Sequence, residues 1–275
     1  MIENNEKITI LLAGEGGQGI QTIAKALVAV ANDSGYEVLY IPYFGVEQRG
    51  TPSIAYVTIS KSKINYPKFI HADISVILRE RAIKQVESYI TPNTKVIFDS
   101  STIDNRKLPK LSIHKLGVPA TKIAIDKNVR RSYNILVFGA LSKMLNMDMN
   151  VSWNSIATTL ASKFKTKEIK DKNHDVFDFG YNVVFEKNHF SKPEYASKTA
   201  VKYYKNSERL AKIDPKLCKG CRICIFKCPT KSLSDSEDLG VFALPVPKID
   251  ITTCIACGKC KSFCPDGAIA VEKKK

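Results

Sequence analysis

The stretch "LLAGEGGQGIQT", Leu11–Thr22, places four glycines within six positions, directly after an apolar run and directly before a helical pattern. "KITILLAG" reads as a buried strand, and Ile20, Ile23, Ala24, Leu27, Val28 and Ala31 recur on one helical face. A tight glycine turn between strand and helix opens an α/β unit. Strands follow at "EVLYIPY", "SIAYVTIS", "DISVILR" and "KVIFDSS", with a helix expected at "AIKQVESYI" between the last two. The pattern predicts a largely parallel, twisted sheet in a three-layer α/β/α arrangement over residues 1–190.

Beyond about Pro119 the pattern turns helical, at "YNILVFGALSKML", "SWNSIATTLASKF" and "KNHDVFDFGYNVVFEKN". Ser152 is the expected cap of the second, where Trp153, Ile156, Ala157, Leu160 and Phe164 share a face, so the only tryptophan reads as a packing anchor. A polar stretch without strong periodicity, 191–210, reads as a linker. A smaller module, 211–275, completes the chain.

Gly14, Gly16 and Gly19 satisfy G-x-G-x-x-G in the strand–turn–helix context of a Rossmann-like dinucleotide fold. The acidic residue that would bind the ribose about 20 positions on is missing; "YIPYFG" stands there, and Glu47 comes later beside Arg49. A deviant phosphate loop fails too, because Glu15 and Ile20 stand where lysines are needed and Gln21 replaces the metal-binding hydroxyl. Close packing against another chain is the other use of such a turn. Gly16, Gly17, Gln18, Gly19 and Arg49 are its candidate binding or interface residues.

All eight cysteines lie between Cys218 and Cys264, which argues for a metal module rather than a disulfide framework. "CKGCRICIFKCP" returns as "CIACGKCKSFCP", each C-x2-C-x2-C-x3-C-P. Three thiolates at such gaps bind three irons of one cubane, and the fourth cysteine ligates the other cluster. The rule assigns Cys218, Cys221, Cys224 and Cys264 to one [4Fe–4S] cluster, and Cys254, Cys257, Cys260 and Cys228 to a second. Zinc, the competing reading, takes four ligands in one tetrahedron, commonly from two separated pairs. The long gap from Cys228 to Cys254 predicts an extended hairpin.

Composition bounds the rest. With 275 residues, 44% hydrophobic and 25% charged, the chain has the profile of a soluble globular protein. No apolar run approaches the ~20 residues of a membrane helix, and "MIENNEK" lacks a signal-like apolar region, so a cytoplasmic protein without membrane contact is expected. The formal charge of +15 points to an acidic partner. Scattered basic residues without a nucleic-acid-reading motif argue against nucleic acid.

"AGEGGQGI" followed by "FGVEQRGTPSIAYVTIS" resembles the gamma subunit of the 2-oxoacid:ferredoxin oxidoreductases, which include pyruvate synthase. "VPATKIAIDKNVRRSYNILVFGAL" and "NHDVFDFGY" resemble its second half, with Asn134, Gly139, Asn173 and Gly180 at matching places, and the remainder is similar to the delta subunit, a two-cluster ferredoxin. The resemblance implies a gamma–delta fusion that passes electrons through two [4Fe–4S] clusters to external ferredoxin or flavodoxin. It further implies alpha and beta partner subunits that hold thiamine diphosphate, where a 2-oxoacid and coenzyme A become acyl-CoA and CO2. No thiamine-binding stretch is visible, so no catalytic residue is expected in this chain. "FGVEQRGTP" is closer to the pyruvate type, whereas the long gap between cysteine motifs is closer to oxoglutarate-type ferredoxins. The alternatives are an NAD(P)H-linked ferredoxin reductase and a cluster-containing nucleotide-binding protein.

Overall fold

Strand β1, Lys7–Glu15, runs through the middle of a seven-stranded sheet and is buried from Thr9 onward. Its alternate residues serve two cores: Ile10 and Leu12 face one apolar cluster, Leu11 and Ala13 the other. That division is what a strand covered on both faces requires. The computed structural model describes residues 6–44, 52–66, 68–111, 114–129, 132–183, 186–187 and 200–273. The chain divides into two compact units, Met1–Glu194 and Tyr195–Lys275.

In the first unit β1 feeds helix α1, Ile20–Asp33, whose Ile20, Ile23, Ala24, Leu27 and Ala31 are buried as the periodicity requires. Strands β2, Glu37–Phe44, and β3, Pro52–Ser60, follow. Next come β4, Ile74–Ile77, the short helix α2, Ile83–Val86, β5, Lys95–Asp99, and β6, His114–Val118. Helices α3, Ala120–Asp126, α4, Tyr133–Met144, α5, Met149–Thr159, and α6, Lys167–Tyr181, precede a last short strand, β7, Glu186–Lys187. The sheet order is β2-β3-β1-β4-β5-β6-β7.

The sheet is mixed rather than largely parallel. β1, β4, β5 and β6 are mutually parallel, but β3 is antiparallel to both β1 and β2, and β7 is antiparallel to β6. The reason is connection length: β2 ends at Phe44 and β3 begins at Pro52, too close for the dozen or more residues of a parallel crossover.

Other expectations shift locally. The helix expected over "AIKQVESYI" is one α turn between two 3₁₀ turns, Glu80–Ala82 and Glu87–Tyr89. The cap of α5 is Asp148, whose carboxylate accepts from Val151 N at 2.9 Å, so the helix starts a turn before Ser152, which is buried within it. β6 and α3 lie in a lysine-punctuated stretch that periodicity did not single out. Trp153 is a packing residue: its ring centroid lies 6.1 Å from Phe164, stacked, and 4.6 Å from the edge-on His174.

The second unit holds a three-stranded sheet, β8 Lys202–Lys205, β9 Arg209–Ile213 and β12 Ile269–Lys273, in the order β12-β9-β8. Part of the stretch read as a linker, 191–210, is therefore strand, with Tyr204 packed against the unit's core. The long gap between cysteine motifs forms the hairpin β10 Leu233–Leu239 and β11 Pro245–Ile249. Two short helices, α7 Ile223–Lys227 and α8 Lys259–Ser262, carry the third cysteine of each motif, Cys224 and Cys260, into the core.

Candidate functional site

Gly16, Gly17 and Gln18 turn the chain from β1 into α1, and Gly19, at φ 77°, occupies the helix cap. A side chain at Gly19 would come within 2.6 Å of the Asn134 amide from α4, and the left-handed φ favours glycine there whatever the space. Gln18, expected at an interface, instead points inward and is 4% exposed. Its Oε1 accepts from Glu15 N at 2.8 Å and its Nε2 donates to Leu78 O at 3.1 Å, tying the turn to the end of β4. Gln21 is likewise used internally: its Nε2 donates to Ser53 Oγ and Ile54 O, and its Oε1 accepts from Tyr40. Arg49 lies outside the described residues, as do Gly45 and Glu47.

Charged groups gather where β1, β4 and β5 end, the edge at which α/β sheets place their crevices. The Glu15 carboxylate, 3% exposed, lies 4.0 Å from the Nε atoms of both Arg79 and Arg81. Burial pulls the Arg79 guanidinium below its ordinary value, and Glu15 opposes that shift. Burial also pushes the Asp99 carboxyl up, against hydrogen bonds from Thr121 and Ser101 that lower it. Tyr133 at the start of α4 has its phenol pushed well above the usual range, first by burial and then by Asp99. Only Glu15 among these groups stands out in the sequence; the others are scattered along the chain and meet only through the strand order.

Beside the turn opens a cleft of about 290 Å³, lined by Gly17, Gln18, Gly19, Thr22, Asn134 and Asn173 among others. The two asparagines at places that match the gamma subunit thus line this cleft from α4 and α6, Asn134 against Gly19 itself. Gly139 and Gly180 sit behind them, where α4 and α6 cross backbone to backbone. A methyl group on Gly180 would overlap the Leu136 carbonyl, and one on Gly139 would lie 2.5 Å from Phe177 O.

In the second unit each motif repeats a backbone conformation as well as a spacing. Gly220 and Arg222 in the first, Ala256 and Gly258 in the second, all have positive φ, between 51° and 73°. A left-handed residue on either side of the second cysteine curls the loop and turns three sulfurs to one side. One cavity is lined by Cys218, Cys221, Cys224 and Cys264, and another by Cys228, Cys254, Cys257 and Cys260. The cysteines ring these cavities instead of converging on a point: among the described residues no three Cys, His, Asp or Glu side chains cluster tightly enough to hold one ion.

The donor chemistry suits iron–sulfur clusters. Backbone amides reach cysteine sulfurs, with Ala256 N at 3.4 Å from Cys254 Sγ and Ala268 N at 3.3 Å from Cys264 Sγ, the kind of donor that cluster sulfurs use. Burial pushes the thiols of Cys218 and Cys260 up to about 11 and that of Cys224 to about 12. Thiolates in these places therefore depend on cationic charge, which cluster iron supplies.

Over residues 9–183 the chain matches the pyruvate ferredoxin/flavodoxin oxidoreductase family, and over 217–269 the 4Fe-4S dicluster domain. It is 31% identical over 179 residues to the 2-oxoglutarate synthase subunit KorC of Methanocaldococcus jannaschii, a match covering 64% of this chain and 94% of that one. It is 28% identical over 175 residues to the pyruvate synthase subunit PorC of Methanothermobacter marburgensis, covering 63% and 96%. The 2-oxoglutarate:ferredoxin oxidoreductase of Magnetococcus marinus, solved with 2-oxoglutarate, coenzyme A and succinyl-CoA bound, shares the fold at a TM-score of 0.59 and 21% identity. That match covers 73% of this chain, which spans 35% of the larger polypeptide.

Proposed function

The chain belongs to the pyruvate ferredoxin/flavodoxin oxidoreductase family, and from that premise we propose that it is the scaffold and electron-transfer subunit of a cytoplasmic 2-oxoacid:ferredoxin oxidoreductase. The observation that carries the reading is the joining, in one chain, of this family's unit over 9–183 to a dicluster domain over 217–269. In the complex, alpha and beta subunits hold thiamine diphosphate and convert a 2-oxoacid and coenzyme A to acyl-CoA and CO2. The two electrons released leave through this chain to an external ferredoxin or flavodoxin. Clusters in the two cysteine sets supply one-electron storage and transfer. The chain's own residues hold them: Cys218, Cys221, Cys224 and Cys264 at one site, Cys254, Cys257, Cys260 and Cys228 at the other. The lining of the two cavities supports this crossed ligation.

The glycine turn and its cleft are proposed to face the catalytic subunits on the coenzyme A side. At about 290 Å³ the cleft suits part of a coenzyme A molecule rather than all of it. Gly17 and Gly19 contribute backbone there, Gly16 precedes them in the turn, and Gln18 holds the turn in place. The dicluster unit suits an acidic acceptor: segments 216–231 and 251–265 carry seven lysines and arginines and no acidic residue.

Affinity purification from the native cell tests the assignment. Thiamine-binding subunits are expected to co-purify, and their absence refutes it.

A further inference from the structure

The two cysteine motifs are related by a constant offset, Cys218, Cys221, Cys224 and Cys228 recurring 36 positions later as Cys254, Cys257, Cys260 and Cys264. The same offset sets Thr230 against Asp266, Ser232 against Ala268, and Leu217 against Thr253. Around Cys228 all three places bear hydroxyls, and around Cys264 none does.

The structure connects those hydroxyls. Thr253 Oγ1 donates to Ser232 Oγ at 3.0 Å, Ser232 Oγ and Thr230 Oγ1 lie 2.6 Å apart, and Thr230 Oγ1 lies 3.6 Å from Cys228 Sγ. A cysteine that ligates iron has no proton, so Thr230 must be the donor to sulfur and Ser232 the donor to Thr230. The row is then a directed chain in which each bond polarises the next. At the other site Asp266 stands in place of Thr230, its carboxylate 3.0 Å from Lys219 Nζ with both side chains largely buried, and it lines the cavity of Cys218 and Cys264.

Hydrogen bonds to ligand sulfur stabilise the more negative, reduced cluster, and at the other site the Lys219 ammonium, which lines the same cavity, offsets the charge of Asp266, so the hydroxyl row is what separates the two sites. We infer that the Thr253–Ser232–Thr230 chain sets the cluster site closed by Cys228 at a higher reduction potential than the site closed by Cys264, so that a single electron on this chain settles at the Cys228 site. This rests on the crossed ligation proposed above. Thr230 is a positioning residue: it touches a ligand sulfur and changes the electron's preference without entering a reaction.

The test uses the full chain, reconstituted anaerobically with iron and sulfide and titrated with dithionite while electron paramagnetic resonance follows each cluster. The Cys218→Ala/Cys264→Ala double variant keeps only the Cys228 site and identifies its signal, which is expected to be that of the higher-potential cluster. Thr230→Val keeps the side-chain shape and removes the donor. It should weaken reduction of that cluster by about threefold to tenfold, a drop of about 30 to 59 mV at 59 mV per decade, and leave the other unmoved. Thr230→Ser, which keeps the hydroxyl, should restore the value. The inference is overturned if Thr230→Val shifts neither potential or both alike, or if the Cys228 site proves the lower. An iron content near four per wild-type chain, or no cluster in the double variant, instead overturns the crossed ligation and the inference with it.

Discussion

Replacing Gln18 by methionine tests whether the glycine turn is held by one buried amide. Methionine keeps the length and volume of glutamine but can neither accept from Glu15 N nor donate to Leu78 O, bonds of 2.8 and 3.1 Å in a site 4% exposed. Each buried group left without its partner costs about 1–3 kcal/mol. The adjoining cleft admits water to part of the site, which brings the pair to about 2–4 kcal/mol. Trp153, the only tryptophan, lies in the core of the first unit, so its fluorescence in a urea titration of the full chain reports that unit alone. With a slope near the upper end of about 1–3 kcal/mol/M for a unit of this size, the midpoint should fall by about 1 M at unchanged slope. Gln18→Glu should fall further, because its carboxylate loses the donor to Leu78 O and places a charge in a site 4% exposed. A Gln18→Met midpoint within about 0.2 M of the parent would show that the amide does not hold the turn.

The same titration separates two glycines. Gly180→Ala, whose methyl meets backbone that cannot yield, should lose about 3 kcal/mol or more, while Gly35→Ala, at φ 78° in open space, should lose only about 1 kcal/mol. Iron and sulfide analysis distinguishes the ligation patterns. Cys218→Ala/Cys264→Ala should retain about four irons, and Cys218→Ala/Cys228→Ala should damage both sites; the reverse outcome means each motif holds its own cluster. Asp99 gives a pH dependence of known sign. Burial raises its folded value above the ordinary 3.8, so its contribution to stability is fully present below 3.8 and is lost as pH rises through the folded value. The stability of the parent relative to Asp99→Asn should therefore decline as pH rises across that window, and a flat difference refutes the assignment. Reduction of an acidic ferredoxin by the complex should slow as salt is added, and a rate insensitive to ionic strength removes the electrostatic role of the +15 charge.

Local features were legible in the chain itself. Cysteine spacing fixes which sulfurs share a loop, and the side-chain periods of α1 and β1 fix which residues are buried, because both depend on neighbours a few positions away. The two-motif repeat also exposes the Thr230/Asp266 and Ser232/Ala268 differences before any folding is considered. What such periodicity does not carry is direction and encounter. A strand such as β3 reads the same in either orientation, and its antiparallel placement between β1 and β2 follows from the length of a connection rather than from its own residues. Gln18 reads as a polar residue free for a partner, and only the arrival of β4 beside the turn shows its amide consumed by Leu78 O. Glu15, Arg79, Asp99 and Tyr133 likewise become one buried group, and Gly19, Asn134 and Asn173 one cleft, because sheet order and helix crossing bring distant positions together. The cluster module and the α/β alternation are written in short-range spacing and can be read before folding is considered. Which of the remaining polar residues hold the scaffold and which line the cleft depends on what packs against them, and that is settled only on folding.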